Sequence, residues 1–366
     1  MRIIFLLIVF YFPSWVFAGA GGDIILPPSF DIIPSTFTQS SLGLNATAFT
    51  QSSQELNATA FTQSSLELNA TALQSAYNLQ TFTIINGLTY DCSVFNAKGI
   101  CVSPGARYTT SNGTNSDDTG VLLIGAYKVN KNIRLGAWVD KSLSTNTQAG
   151  VNLSNSNPYY GVFGVWSEKE DGTGFEARVA AVSVNNNMTI TRTALGVSEA
   201  GIGVTGFKTQ AASGILKYGF SVAPNWVVSP YAGIRYISIQ AGGYTEAASS
   251  AVTMPLTYDS LSHDTATALA GVRFMDKITP KATLLASVGF EQDLNNSGNT
   301  YNATGISGLN PIVFNTNIQK TRPAASAGVY YDIQKAQRIG LDTYYRQEAF
   351  QSTQAMTVLV TYQAGF

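Results

Sequence analysis

From about residue 101 to the last residue, apolar and polar side chains alternate with a period of two. The clearest stretch is 356–366, where every second residue from Met356 is apolar. A period of two is typical of a β-strand whose two faces meet different surroundings. Because the alternation recurs along most of the chain, it predicts a large antiparallel sheet. Half-exposed strands of a soluble sandwich would show the same alternation, so other features have to decide between a soluble sheet and a membrane barrel.

The composition favours a membrane barrel. Charged residues are 12% of the chain, against about 25% in a typical soluble domain. Mean hydropathy is +0.08. After residue 20, no apolar run approaches the length of a membrane-spanning helix. Only strands could then cross a bilayer. The net charge of −1 and the absence of a basic stripe argue against nucleic-acid binding.

Loop lengths and aromatic positions support the same interpretation. The connections 223–225 and 334–337 are short, whereas 240–263 and 293–322 are long and polar. Short turns at one end and long loops at the other are typical of outer-membrane barrels, as are aromatic residues near strand ends, here Tyr236 and Tyr345. We therefore predict an all-β fold, an antiparallel transmembrane β-barrel spanning 105–366.

Two strand counts fit the pattern. Twelve segments qualify, and an even number suits a closed antiparallel barrel: 120–129, 133–143, 158–168, 174–185, 198–208, 214–223, 226–239, 264–275, 281–292, 323–334, 338–348 and 356–366. This assignment places the short turn 130–132 among the long loops and the longer link 144–157 among the short turns. Additional strands near 105–111 and 187–194 would give fourteen and restore the asymmetry, so both counts stay open.

The N-terminal third has a different organisation. Residues 1–20 combine a charged start, an apolar stretch and the small residues Ala18-Gly19-Ala20, which is typical of a secretory signal peptide. A linker, 21–34, leads into a twelve-residue repeat within 35–80. On a helix, twelve residues advance about 120° beyond full turns, so the repeated Phe and Leu positions form no stripe. The tract is also rich in Ser, Thr, Asn and Gln, and we expect it to be flexible or partner-dependent.

Two cysteines, Cys92 and Cys101, lie in the segment 81–104 that joins the repeats to the barrel. Export would take them to an oxidising compartment, where a disulfide-closed loop is plausible. The alternative is a metal site, but a tetrahedral site needs about four ligands and the chain has one histidine and no third cysteine. We predict the disulfide.

No catalytic arrangement is evident. His263 lies in a predicted solvated loop between Ser262 and Asp264, and neighbouring residues on an extended chain point in opposite directions. A catalytic relay would need these groups in mutual contact. No phosphate-binding loop or metal-binding motif was found in the sequence either. We predict that the protein is not an enzyme and needs no cofactor.

The predicted strands carry charged residues of both signs on the face opposite the apolar one. We expect them to form a network of ion pairs inside the lumen. An ion-selective channel is the alternative, although a segment inside the lumen would block it. The predicted lumen-facing charges are Arg134, Glu176, Arg178, Glu199, Arg235, Arg273, Glu291, Asp342 and Arg346.

Residues 100–366 resemble the autotransporter family of type V secretion. The resemblance rests on 229–236 with 243–246, on 268–274, and on the C-terminal segment 358–366. It implies a twelve-stranded barrel with a segment threaded through its lumen. It also implies partners: outer-membrane lipid, the barrel assembly machinery and periplasmic chaperones. The assembly signal would comprise Val358, Val360, Tyr362 and Phe366.

This chain departs from the family pattern in having only about 70 to 80 residues between the signal peptide and the barrel, with no long passenger. Residues 69–80 would be the lumenal helix or, equally well, the end of the repeat tract. Our first functional hypothesis is an outer-membrane anchor that displays the repeats at the cell surface, with adhesion to an unknown surface ligand as one use. The alternative is a stand-alone pore or structural barrel whose N-terminal segment stays in the periplasm.

Overall fold

The computed structural model describes residues 45–112, 115–315, 318–347 and 353–366. Within these residues, one helix, α1 (Asn45–Gly87), precedes sixteen strands. The strands are β1 (Ile100–Asn112), β2 (Ser116–Lys128), β3 (Ile133–Asn146), β4 (Val151–Leu153), β5 (Tyr159–Ser167), β6 (Gly174–Arg192), β7 (Gly201–Ala223), β8 (Trp226–Ala241), β9 (Tyr244–Thr245), β10 (Thr257–Tyr258), β11 (Leu261–Asp276), β12 (Ala282–Gly298), β13 (Ala303–Thr304), β14 (Thr321–Gln334), β15 (Gln337–Gln347) and β16 (Gln354–Gly365). The short strands β4, β9, β10 and β13 lie outside the barrel wall.

Twelve long strands form a closed antiparallel barrel. Each pairs with its neighbour in the chain, and β1 also pairs with β16 from Cys101 opposite Gly365 to Asn112 opposite Gln354. Closure leaves no unpaired strand edge, which is a requirement for a sheet in lipid. The predicted count of twelve is confirmed, and the alternative of fourteen is wrong.

The membership of the twelve differs from the prediction. The segments 198–208 and 214–223 are parts of one strand, β7, and 187–194 is the end of β6. Residues 209–213 contain no Gly, Pro, Asn or Asp that would favour a turn, and β7 pairs with both β6 and β8 through this stretch. The first barrel strand is β1, which the sequence offered only as the extra segment 105–111. The barrel therefore begins at Ile100 rather than at 105.

Counting β1 as the first strand resolves the asymmetry of the connections. The turns 129–132, 168–173, 224–225, 277–281 and 335–336 all lie at the end that holds Phe366, which we call the short-turn end. The connections 147–158, 193–200, 242–260 and 299–320 lie at the opposite end, the long-loop end. This distribution is typical of outer-membrane barrels, whose short turns face the periplasm.

The barrel wall is apolar outside and polar inside. Large outward-facing side chains on the strands include Leu123, Leu135, Val179, Ile234, Val288, Val329, Leu341 and Val360. Exposed aromatic side chains lie near both ends of the strands. On β8, Trp226 and Tyr236 are ten residues apart, a distance of about 25 Å along the barrel axis for a strand tilted by about 40°. The exposed apolar band is therefore about as high as the apolar band of an outer-membrane barrel. A soluble sandwich would bury its apolar face in a core instead of exposing it.

Helix α1 covers the repeat region from residue 45 onward and includes 69–80, for which a lumenal helix was one of the two alternatives. The expected tract was flexible or partner-dependent, and its helix is packed within the barrel. The twelve-residue period gives the helix no apolar stripe, as predicted. It needs none, because it is surrounded on all sides, and every residue from 72 to 88 is buried. The helix ends at Gly87, where a Cβ would lie 2.5 Å from the Trp138 ring. Within the described residues, no helix is long and apolar enough to cross a membrane.

The predicted signal peptide, the linker 21–34 and the start of the repeats lie outside the described residues.

Candidate functional site: the barrel lumen

Aromatic packing holds α1 in the lumen at the long-loop end. The Tyr77 ring meets Phe207 and Phe314 edge-on, with ring centroids 5.1 Å and 5.0 Å away. Its hydroxyl donates to the Leu261 carbonyl oxygen at 2.9 Å. An aromatic side chain with both its ring and its hydroxyl satisfied is a strong anchor. Tyr77 therefore fixes α1 to the wall near the long-loop end of the lumen.

Deeper in the lumen, polar groups of α1 bond directly to the barrel wall. The Asn86 side-chain amide donates to the Thr357 hydroxyl at 2.7 Å, and the Tyr159 hydroxyl donates to the Gln80 side-chain oxygen at 3.0 Å. Buried polar groups of this kind are stable only with hydrogen-bond partners. A polar helix is therefore well suited to a polar lumen, which explains why the Asn, Gln and Thr residues of α1 can be buried here.

Beyond the barrel, α1 continues outward between the long loops. The Ser65 hydroxyl donates to the Thr193 carbonyl oxygen at 2.5 Å, and the Asn310 amide donates to the Gln63 side-chain oxygen at 2.9 Å. Thr59, one turn further out, donates to the Ser307 carbonyl oxygen at 3.3 Å. The N-terminal direction of α1 is thus toward the long-loop end, and its C-terminal end lies inside the barrel.

Two of the long loops form a small sheet at this end. Strands β9, β10 and β13 pair with one another, and the Tyr244, Tyr258 and Tyr301 rings stack with centroid separations of 4.4 Å and 5.3 Å. An ion pair between Arg192 of β6 and Glu246, 2.7 Å apart and almost fully buried, ties the sheet to the barrel. These loops therefore extend the wall around the emerging helix.

After Gly87 the chain runs as a linker, 88–99, down to the short-turn end. Asp91 pairs with Arg134 at 2.8 Å and with Arg178 at 3.2 Å. Cys92 and Cys101 form a disulfide, with their Cα atoms 5.9 Å apart. The disulfide joins the linker to β1. The linker is thus attached to the wall by charge pairs and by a covalent bond.

A buried charge cluster that the sequence analysis missed lies in the part of the wall that faces the C-terminal half of α1 and Tyr90. Arg107 contacts Asp118, and its Nε lies 2.6 Å from Asp140 Oδ2. The Tyr90 hydroxyl donates to Asp140 at 2.8 Å. Asp140 is on the same face of β3 as Arg134, so the alternation of faces along the strand could have predicted that it faces the lumen. Arg107 was missed because β1 was not among the twelve predicted strands.

Three of the predicted lumen charges meet in one cluster. Arg235 Nη1 and Arg346 Nη1 lie 3.0 Å and 2.6 Å from Glu291 Oε1. Arg322 and Asp293, which the sequence analysis did not include, join them and pair with each other at 2.7 Å. These residues come from four strands, β8, β12, β14 and β15, of which the last three are consecutive in the barrel and β8 is separated from β12 by β11.

The other predicted charges differ in their surroundings. Arg134 and Arg178 bind Asp91, and Glu176 pairs with Lys217 at 3.1 Å. Asp342 accepts a hydrogen bond from the Tyr330 hydroxyl at 2.7 Å. Arg273 is half-buried and makes no hydrogen bond or ion pair with any residue that the structure describes.

Two predictions about polar residues were wrong. Glu199 does not face the lumen. It lies in loop 193–200, where it accepts hydrogen bonds from the Thr253 and Met254 amides at 2.8 Å and 2.9 Å, because β7 begins only at Gly201. His263 is not in a solvated loop. It is buried in β11, 2.9 Å from the Thr265 hydroxyl, because β8 and β11 stay paired as far as Leu261.

Between Leu88 and the short-turn end, the lumen is open; we call this part the lower lumen. A cavity of about 600 Å³ lies between the linker, the Glu291 cluster and the short turns. Among the residues that the structure describes, eleven Lys and Arg residues line it, against six Asp and Glu residues. Lys131, Lys169 and Lys277 come from three short turns, so the cavity reaches the short-turn end. The lower lumen is therefore water-accessible and positively charged.

The residues of the predicted assembly signal lie on the outer face of β16 and at its end. Val360, Tyr362 and Phe366 are exposed and Val358 is half-exposed. Their recognition by the assembly machinery stays a prediction.

A family model matches residues 105–346, described as the autotransporter β-domain. This chain belongs to the autotransporter family. Membership implies a barrel in the bacterial outer membrane with a structural or transport role, and it agrees with the resemblance that the sequence showed. No curated protein matches this chain in sequence.

Two solved autotransporter domains have the same fold. The translocator domain of autotransporter NalP from Neisseria meningitidis has a TM-score of 0.61 and 16% identity, over 82% of this chain and 99% of that one. The β-domain of the Bordetella autotransporter BrkA has a TM-score of 0.50 and 14% identity, over 74% of this chain and all of that one. At these identities the likeness extends to the fold of this autotransporter and no further.

Proposed function

We propose that this autotransporter anchors its own N-terminal repeats in the outer membrane and displays them outside the cell. The observation that supports it is the direction of α1. Its C-terminal end lies within the lumen at Thr357, and its contacts at Gln63 and Thr59 are with loop 299–320 at the long-loop end. Since short turns face the periplasm in such barrels, the chain leaves the lumen on the outer side.

The stand-alone pore is a weaker candidate. Its N-terminal segment would have to leave through the short-turn end. The buried helix instead fills the lumen at the long-loop end, and its N-terminal direction is toward that end. The extent of burial from residue 72 to 88 and the Tyr77 anchor favour a helix that stays in place and holds the displayed segment. Adhesion by the repeats is a further step of this proposal, and it would require a surface ligand.

Protease treatment of intact cells tests the display. An epitope tag inserted after Ser35 precedes the described helix and leaves its contacts unchanged. We expect the tag to be lost from intact cells while the barrel stays in the outer membrane. A matched tag between Lys335 and Ala336, in a short turn, should be lost only after the outer membrane is opened. A tag at Ser35 that stays protected in an outer-membrane protein would contradict display.

A further inference from the structure

The basic cavity of the lower lumen has an unusual counterpart in the sequence. Between Ile3 and Ala97 the chain contains no Lys, Arg or His residue, although it contains Asp23, Asp31, Glu55, Glu67 and Asp91. The charged residues of this segment are thus few and all acidic. The cavity through which the proposed function would pass the segment has nearly twice as many basic as acidic side chains among the described residues.

One carboxylate of this segment already occupies the cavity wall. Asp91 lies between Arg134 and Arg178, and both guanidinium groups are within ion-pair distance. Charge-assisted contacts of Arg to carboxylate are among the stronger polar contacts in proteins. The cavity therefore has groups that bind a carboxylate from this segment.

Further basic groups in the same cavity have capacity to spare. Arg273 makes no hydrogen bond or ion pair with any described residue. Arg235 is 3% exposed, and its Nε has no hydrogen-bond partner within the described part of the chain. At the mouth, Lys131 and Lys277 extend the positive charge to the short-turn end. Such a lining concentrates negatively charged groups at its surface.

We propose that the cavity is a carboxylate-binding vestibule, whose basic side chains attract and bind the acidic residues of the N-terminal segment as it passes through the lumen. Asp91 is the carboxylate that remains bound once α1 is in place. The inference rests on the proposed function. It adds the recognition chemistry: an acidic segment free of basic residues, bound by a lumen with an excess of Arg and Lys.

The test measures how fast a tag after Ser35 becomes protease-accessible in pulse-labelled cells. The first variant removes cavity charge, as Arg273→Gln, Lys131→Gln and Lys277→Gln together. Its matched control, Lys208→Gln, Lys320→Gln and Lys335→Gln, removes the same charge from exposed positions outside the cavity. The second variant, Asp23→Asn, Asp31→Asn, Glu55→Gln and Glu67→Gln, leaves the barrel unchanged. Heat-modifiable gel mobility reports whether each barrel is folded.

We expect both the cavity variant and the segment variant to lengthen the half-time of exposure, by roughly three-fold or more. Because they remove the two sides of one interaction, combining them should slow exposure no further than the slower of the two. The control should match the wild type, and Arg273→Lys should retain the wild-type rate because it keeps the charge.

Equal rates in all variants, or slowing that multiplies in the combined variant, would overturn the vestibule. If the cavity variant fails to fold, the segment variant decides, since an unchanged rate there is also a contradiction. Failure of the proposed function is distinguishable, because the tag would then be protected in the wild type as well.

Discussion

The polar groups of the barrel wall have different surroundings in the two halves of the lumen, at the long-loop end and at the short-turn end. At the long-loop end, α1 fills the space, and the wall groups bond to helix side chains or to each other, as in the cluster of Arg107, Asp118 and Asp140. At the short-turn end the wall faces a cavity of about 600 Å³. The filled half is held rigid by packing, whereas the open half combines the buried Glu291 cluster with charged groups that face the cavity without an ion-pair partner in the described part of the chain, such as Arg273. The difference separates anchoring from binding within a single barrel.

The comparison predicts that removing a buried, paired charge from the filled half costs much more than removing an unpaired charge from the wall of the open half. Arg107→Met leaves Asp118 and Asp140 buried without their counter-charge. We expect a loss of about 3–5 kcal/mol in the free energy of unfolding, which is typical of breaking a buried pair on one side. Arg273→Met, which breaks no ion pair, should change it by less than about 1 kcal/mol. Urea unfolding in lipid vesicles, followed by tryptophan fluorescence, measures both. Equal losses would contradict the distinction between the two halves.

The next largest effect should come from the anchor of the helix. Tyr77→Ala removes the ring contacts with Phe207 and Phe314 and the hydrogen bond to Leu261. A buried aromatic truncated to Ala costs about 3 kcal/mol or more, and here we also expect more frequent channel openings in planar bilayers because α1 is less firmly held. Leu68→Ala, at an exposed position of the same helix, is the control. An unchanged conductance in Tyr77→Ala would show that other contacts keep the lumen closed.

A smaller effect is expected at the covalent attachment of the linker. Replacing Cys92 and Cys101 together by Ser releases a short loop, for which chain entropy predicts a loss of about 2–3 kcal/mol. The wild type treated with a reductant should unfold at the same urea concentration as the double variant. A wild type that resists the change under reducing conditions, with its thiols shown to be free, would mean that the linker contacts hold without the disulfide.

The smallest effect concerns the loops that continue the wall outside the barrel. Hydrogen bonds from Thr253 and from the Met254 amide lower the pKa of the Glu199 carboxyl below its usual 4.5. Because the folded pKa is lowered, the stabilisation is present above pH 4.5 and is lost as the pH falls through the folded value. Amide hydrogen exchange at Met254 should accelerate in that range, and Glu199→Gln should remove the dependence. Exchange that is independent of pH, after correction for the intrinsic rate, would contradict this contact.

The sequence predicted the barrel because the alternation of two is imposed directly by lipid on one face and water on the other. It predicted the strand count, but it divided β7 into two segments although 209–213 lack turn-forming residues, and it offered β1 only as the extra segment 105–111. It offered a lumenal helix only for 69–80, on the resemblance and as one of two alternatives, because the burial of α1 depends on the lumen around it and not on a stripe in its own sequence. The alternation of faces along the predicted strands identified Arg235, Glu291 and Arg346 as lumen-facing. Arg107 and Arg322 lie outside the twelve predicted segments, and only the observed strand pairing placed them in the lumen.

The most direct test of the account asks which side of the membrane each end of the lumen faces. Single cysteines can be introduced at Leu56, an exposed position on α1, and at Lys335 in a short turn, because Cys92 and Cys101 are buried in a disulfide. With a membrane-impermeant maleimide, we predict that Leu56→Cys is labelled on intact cells and that Lys335→Cys is labelled only after the outer membrane is opened. Labelling of Lys335→Cys on intact cells with protection of Leu56→Cys would contradict the direction of α1, and with it the display of the repeats.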